Sequence, residues 1–418
     1  MCRWVGTCES RQNGSNGAGA STALVSTNPH RFMTPHFPDS LDRLCNLART
    51  AVTEVVAPNA ETVDRDAAWP VASMRALADA SLTGLTAPTR VGGHGQGLLG
   101  LAAITEVIGQ ACASSAMCFG MHCVATAVMA AKSTAFHDER YLTPIAQGRH
   151  ITTLALSETG TGTHFFLPET QLRHEAGEYV VDGEKQFVTN GGHADSYVIS
   201  TLASEESEAG EFSCLVVDRD RPGMQWGEAW HGLGMRGNSS RSLKLDGVRM
   251  PAANLLGAQG DQVWFVFEVV APFFLTAMAG TYLGVAQSAL DLALQHLRAR
   301  RFTHSGQSLA DIEILQHRVG QLWMAVEKSR LLLYRAAELG DVGSSEALTA
   351  ILASKADAGT TAVNVCNEAM TLCGGMAYRE NSILARLLRD ARASHVMSPT
   401  TDLLTTWTGR SALGLPLF

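Results

Sequence analysis

Basic charge is scarce in this sequence. The 418 residues carry 32 Lys and Arg against 40 Asp and Glu, a formal net charge of -8. A nucleic-acid footprint needs a basic stripe, so no nucleic-acid partner is expected. Paired thiols are also missing. The nine cysteines (Cys2, Cys8, Cys45, Cys112, Cys118, Cys123, Cys214, Cys366 and Cys373) are odd in number, irregular in spacing and form no Cys-x-x-Cys. In a chain of this size they read as reduced, mostly buried thiols of a cytoplasmic protein, with no metal site. The most apolar stretch, 116–131, falls short of the ~18 residues a membrane span needs, and it holds His122 and Thr126. A buried core helix is expected there. Residues 1–37 are rich in Ser, Gly, Asn and Thr and lack the apolar segment of a signal peptide. They read as a flexible leader.

The rest has the composition of a large globular protein, 46% hydrophobic and 17% charged. The length suits two or three domains and a core that needs no metal or disulfide. Three textures succeed one another. Over 38–149, helical patterns alternate with Pro and Gly breaks. Leu41, Leu44, Leu47, Ala51 and Val55 recur at helical spacing, and Pro58 is expected to end that helix. Over 150–258 come short β runs. The stretch EYVVDGEKQFVTN (178–190) predicts a hairpin with Asp182-Gly183 as its type I′ turn. Further strands are expected near 195–201, 212–218 and 240–251, which suggests a small barrel or sandwich. Over 259–418 the chain is helical again. Leu315, Val319, Leu322 and Val326 mark one helix face, and long helices are expected over 345–372 and 399–412. No parallel βαβ pattern is present. The fold class is therefore α+β: a helical domain, a β domain and a helical bundle.

Four ordered segments carry a resemblance. They are LALSETGTGTHF (154–165), GEKQFVTNGGHADSYVI (183–199), GLGMRGNSSRSLKLDGVRMPAANLLG (232–257) and LCGGMAYRENSILARLLRDARASHVMSPT (372–400). Their order and spacing resemble the acyl-CoA dehydrogenase family over roughly residues 40–415. The resemblance implies that family's fold, with a small middle β-barrel and a C-terminal four-helix bundle. It also implies FAD as cofactor, an acyl thioester on CoA or a carrier protein as substrate, and a flavoprotein or oxygen as electron acceptor. A homo-oligomer, dimer or tetramer, is implied as well. A flavin needs a flat slot, polar groups at its pyrimidine edge and a site for its pyrophosphate. The positions that match are Leu156 and Ser157 at the isoalloxazine edge, Phe187 on the ring and Thr189 near N5, with Thr163 as a further cofactor-binding position. Thr371, Gly374 and Gly375 match where the FAD of a neighbouring subunit lies. Arg300 or Arg301, with Arg301 preferred, matches a pyrophosphate ligand, and Thr400 and Asp402, at the end of the last motif, are further cofactor-binding positions.

One part of the family pattern is missing. The chemistry implied is removal of an α-proton by a carboxylate while the β-hydride goes to flavin N5. Counting from Gly375, the family's Tyr-Glu-Gly-Thr falls on Met397, Ser398, Pro399 and Thr400. The alternative position of the base, on the first bundle helix, falls on Phe274. Candidates to replace the carboxylate are Asp402, which shares a face with Ser398 if the segment is helical, and His164, His395 and Glu158. Asp402 is the preferred base, raised in pKa by an apolar pocket. The competing view makes it an early-turn acid behind a Thr400 or Thr401 cap. The functions that remain are an acyl-thioester dehydrogenase with an atypical base, a flavin-dependent oxidase or monooxygenase, and a redox-silent FAD-binding protein.

Overall fold

A computed structural model of the chain describes residues 37–162, 167–202, 212–260 and 265–417. The expected leader lies outside these residues, except Phe37. That ring is buried and packs 5.5 Å from the ring of Tyr334.

The first strand is preceded by the helices Asp39–Ala51 (α1), Ala57–Arg65 (α2), Val71–Asp79 (α3), Leu98–Gly109 (α4) and Ala113–Ala131 (α5), with short helical turns between. In α1 the buried stripe is Leu41, Leu44, Cys45, Ala48 and Ala51, while Leu47 is exposed. Asp39 and Asp42 in the first turn and Arg49 in the last complement the helix dipole. Pro58 does not end this helix. A π-helical turn, Val52–Val56, joins α1 to α2, and Pro58 sits in the first turn of α2. Proline is tolerated there because its N–H would lack a partner in the turn that restarts the ladder. Pro144 and Pro272 follow the π turns Asp138–Leu142 and Phe265–Val270 in the same way.

The β domain packs two four-stranded sheets. One has the order β1 (Thr152–Ala155), β4 (Ser196–Leu202), β5 (Phe212–Asp218), β8 (Leu255–Leu256). The other runs β2 (Gln171–Glu175), β3 (Glu178–Val188), β7 (Arg241–Pro251), β6 (Met224–Trp226). Among the described strands only β1 and β4 pair in parallel, with Thr152 opposite Ser196. Tyr197, Ile199, Leu215 and Val217 of the first sheet meet Leu243 and Leu245 of the second. The other face of the first sheet (Leu154, Val198, Val216) joins the helical core. Being covered on both sides, β4 is buried along nearly its whole length. The predicted hairpin is corrected here. Segment 178–188 is one continuous strand, and Asp182-Gly183 is a bulge between register positions Val181 and Gly183. Asp182 is spent elsewhere: its carboxylate accepts the Gly247 N–H at 2.6 Å. The tight turn lies earlier, at Ala176 and Gly177, whose φ values of 51° and 87° suit a type I′ turn between β2 and β3.

The C-terminal part is a bundle of Ala271–Ala299, Glu313–Asp341, Ala347–Cys373 and Ile383–Val396, followed by a shorter helix, Thr401–Ala412. The first of these continues Phe265–Val270, and both that span and α5 are apolar and long enough to cross a membrane. Both are instead mostly buried inside the molecule. The N-terminal helices pack on the bundle through buried charge. Glu106 accepts from Arg330 at 3.1 Å and from the Tyr334 hydroxyl at 2.7 Å, and Arg330 also donates to Gln287 at 2.6 Å and pairs with Glu327.

His122 joins α5 to the β domain. It accepts the Thr152 N–H at Nδ1 (3.1 Å), so Nε2 is left to donate to the Thr83 carbonyl (2.9 Å). Burial pushes its pKa down to about 4. Below pH 6.5 the unfolded chain takes up a proton that the folded chain refuses. Stability then falls as pH drops from 6.5 to 4, by on the order of 3 kcal/mol. Buried Asp390, raised to about 6 by burial, titrates in the opposite sense over part of this window. The His122 contribution is therefore read as a difference. His122→Gln, which keeps one donor and one acceptor, should flatten the pH dependence of the denaturation midpoint between pH 6.5 and 4.5 relative to wild type. Parallel curves for the two proteins would contradict the assignment.

Candidate active site

The ends of β1 and β3 converge. Leu156 and Ser157 follow β1 directly, and the Ser157 carbonyl accepts the Gln186 N–H at 2.7 Å. One residue on, a register shift between Lys185 and Val188 turns Phe187 out of the strand at φ 54°. Its ring is 66% exposed. That ring stands edge-on to Trp230, at 6.2 Å and 83°. Thr189 is buried, its carbonyl held by the Thr153 hydroxyl at 2.9 Å and its own hydroxyl 3.3 Å from that of Ser240. One hydrogen bond between two hydroxyls uses one proton and leaves the other to donate. Behind them, Asn190 bonds to the Cys118 carbonyl at 2.9 Å and takes the Trp69 indole N–H at 2.8 Å. Trp69 in turn stacks on His193 at 4.7 Å.

Glu158 is removed from the list of bases. It forms a fully buried ion pair with Lys185 and also accepts from the Thr170 hydroxyl at 2.7 Å and the Glu169 N–H at 2.6 Å. A carboxylate so satisfied serves the fold of the β domain.

The remaining candidates lie on the bundle. Met397, Ser398 and Pro399 form a bend between Ile383–Val396 and Thr401–Ala412, so Ser398 and Asp402 do not share a helix face. The Ser398 Oγ is buried without a hydrogen-bond partner. Thr400 is the N-cap of the last helix, its hydroxyl accepting the Leu403 N–H at 3.3 Å. Asp402 lies in the first turn of that helix and is exposed, so the expected apolar pocket around it is absent. His395 is part-buried, its Nδ1 3.0 Å from the Ser394 hydroxyl, and burial lowers its pKa. Phe274 is half-buried against the helical core.

Gly374 and Gly375 follow the third bundle helix and are exposed, Gly374 at φ 68°. A side chain built on either would meet nothing, so bare backbone is open to a ligand or a second chain. Thr371, one turn back, is exposed with its hydroxyl on the Asn367 carbonyl at 3.2 Å. Arg301 is exposed in a small loop closed by its pairing with Ser308. Thr163 and His164 lie outside the described residues.

This framework agrees with the comparisons. Residues 38–149, 153–248 and 276–413 match the N-terminal, middle and C-terminal domains of acyl-CoA dehydrogenase. The chain belongs to the acyl-CoA dehydrogenase family. It is 31% identical to the cyclohexane-1-carbonyl-CoA dehydrogenase of Geobacter metallireducens, over 85% of this chain and 92% of that one. It is 29% identical to the cyclohex-1-ene-1-carbonyl-CoA dehydrogenase of the same organism, over 90% and 99% of the two chains. Among solved structures, butyryl-CoA dehydrogenase from Megasphaera elsdenii superposes with a TM-score of 0.85 at 23% identity, covering 91% of this chain and all of that one. Its fold is therefore shared.

This acyl-CoA dehydrogenase homologue is an FAD-dependent oxidoreductase, and its residues fit the cofactor. Phe187 presents an uncovered ring face, the Thr189–Ser240 pair has a spare proton, and Gly374-Gly375 offers open backbone. Trp230, whose indole N–H is buried without a partner, and Ser240 escaped the sequence reading. Ser240 lies inside the third motif and was legible there as a hydroxyl at a strand start; Trp230 sits in a loop with no periodic signal. Thr189→Val keeps the shape and removes the donor. It should weaken FAD binding roughly 2–10-fold, as one neutral hydrogen bond of about 0.5–1.5 kcal/mol requires, with the fold intact. Titration of the apoprotein with FAD measures this, and an unchanged affinity would remove Thr189 from the cofactor site.

Proposed function

We propose that this enzyme introduces a double bond between the α and β carbons of an acyl thioester, on CoA or a carrier protein, with a base outside the two positions the family pattern uses. The observation that carries the departure is at Ser398, a buried hydroxyl without a partner where a carboxylate is expected, with Phe274 at the alternative position. Bound FAD would supply the hydride acceptor. The residues proposed to hold it are Leu156, Ser157, Thr163, Phe187, Thr189, Thr371, Gly374, Gly375, Thr400 and Arg301. Phe187 would cover the ring and the Thr189–Ser240 pair would donate to its edge. Ser398 borders the reacting carbons in this reading, and its small side chain leaves room for substrate bulk. Asp402, exposed and behind the Thr400 cap, supports the helix start; His164 is the next candidate base.

The same reading divides the chain into 38–149, 150–258 and 259–418 and places the enzyme in the cytoplasm with a flavoprotein or oxygen as electron acceptor. It makes the protein a homo-oligomer. Met324 and Leu331 are exposed on the second bundle helix and line a groove of about 510 Å³ with Trp323, Gln321 and Lys328. Exposed apolar side chains bordering such a groove suit a face that a second chain covers. Light scattering of the FAD-loaded protein should give a dimer or tetramer, and a monodisperse monomer would overturn this.

Wild type should turn over butyryl- and octanoyl-CoA slowly, because a missing general base costs about 10²–10⁴-fold. Ser398→Glu should raise that rate, and Asp402→Asn should leave turnover of the true substrate unchanged. Anaerobic bleaching of the flavin by an acyl thioester checks the reaction class. No bleaching by any acyl thioester, with oxygen consumed in the presence of substrate, would favour an oxidase or monooxygenase instead.

A further inference from the structure

Lys355 is a buried charge that, among the described residues, pairs with main-chain carbonyls and with no carboxylate. It lies about two turns into the third bundle helix, Ala347–Cys373, at 0% exposure. Its Nζ donates to three main-chain carbonyls: Ser394 at 2.9 Å, Met397 at 3.3 Å and Pro399 at 2.8 Å. Three acceptors take the three N–H bonds of an ammonium, so the protonated form is the one the site is built around. The carbonyls belong to the last turn of Ile383–Val396 and to the bend beyond it, where a helix leaves its carbonyls unpaired and its dipole favours a cation. Burial opposes the charge and pushes the pKa down to about 7.

The acceptors bracket one residue. The Met397 and Pro399 carbonyls stand on either side of Ser398, and both turn inward to Lys355. The Ser398 N–H, antiparallel to the Met397 carbonyl across their peptide, is thereby directed away from Lys355. Other contacts fix the same bend. The Tyr282 hydroxyl, from the first bundle helix, meets the Met397 sulfur at 3.7 Å. The Thr401 hydroxyl donates to the Ser394 carbonyl at 3.1 Å.

We propose that Lys355 is a positioning residue: it clamps the 397–399 bend from within the bundle and so sets where Ser398 stands against the substrate. Lys355 touches neither substrate nor cofactor. The proposal rests on the reading that Ser398 borders the reacting carbons.

The test is Lys355→Met in the FAD-loaded enzyme, a replacement of similar length without donors. Hydrogen exchange across 394–404 should accelerate by at least ~10-fold while exchange in the β domain and FAD stoichiometry stay as in wild type. With an acyl thioester that wild type accepts, kcat should fall on the order of 10²-fold with KM nearly unchanged, the signature of misplacement at the reacting centre. Unchanged exchange over 394–404 would overturn the clamp, and faster exchange with unchanged kcat would overturn its role in catalysis. Exchange needs no substrate, so a failure of the proposed reaction would show separately, as a flavin that no acyl thioester bleaches. If Lys355→Met does not fold, Tyr282→Phe loosens the same bend by one hydroxyl and should change exchange and kcat in the same direction, less strongly. No change in either would then overturn the proposal.

Discussion

The three parts of the molecule are held in register by one face of one helix. Ile383–Val396 carries Arg386, Arg389 and Asp390 at spacings of three and four, so all three point inward together. Arg386 donates to the Ala111 carbonyl between α4 and α5 at 3.3 Å. Arg389 pairs with Asp64 of α2 and bonds to the Leu233 carbonyl at 3.0 Å. Asp390 accepts the Met235 N–H of the loop before β7 at 2.6 Å. That loop comes close enough only because residue 234 is glycine: a Cβ there would lie 2.2 Å from the Arg389 carbonyl oxygen.

The site follows from this docking. The loop gripped by Asp390 leads directly to Ser240, whose hydroxyl meets Thr189 at the end of β3. The same helix ends at the bend held by Lys355. Strand ends and bend are thus placed by a single rigid element, which suits a reaction that depends on the relative position of two carbons and a flavin. The cost is buried charge. Much of it is met by hydrogen-bonded ion pairs, as in Glu158 with Lys185 and Glu106 with Arg330. Removing one partner from such a pair is far more damaging than the pair is stabilising.

The cluster at the strand ends was legible because the motifs encode it locally. Ser157, Phe187 and Thr189 sit at strand ends, and the strand pattern around them shows in the alternation of residues. The bend in the bundle was less so. Asp402 looked like a base because a helix was drawn through 398–402; the bend at 397–399 breaks that face and leaves the acid exposed. Lys355 carried only a faint signal, a lone lysine amid Leu352, Ala356 and Ala358 in a helix that is otherwise apolar on that side.

By itself the sequence determined the α+β order, the strand-rich centre, the buried helix expected over 116–131 and the ordered motifs, because these depend on side-chain periodicity and on residues close in the chain. Only the tertiary structure decided where the chain bends and what its charges do. Pro58 continues a helix because a π turn precedes it, and Asp182-Gly183 bulges because Asp182 is needed by Gly247. Asp341 caps α4 by accepting the Leu98 N–H at 2.6 Å and the Leu99 N–H at 2.9 Å, across more than half the chain. The physical reason is the same in each case: a polar group takes the partner that folding brings within 3 Å, and sequence distance carries no information about which one that will be.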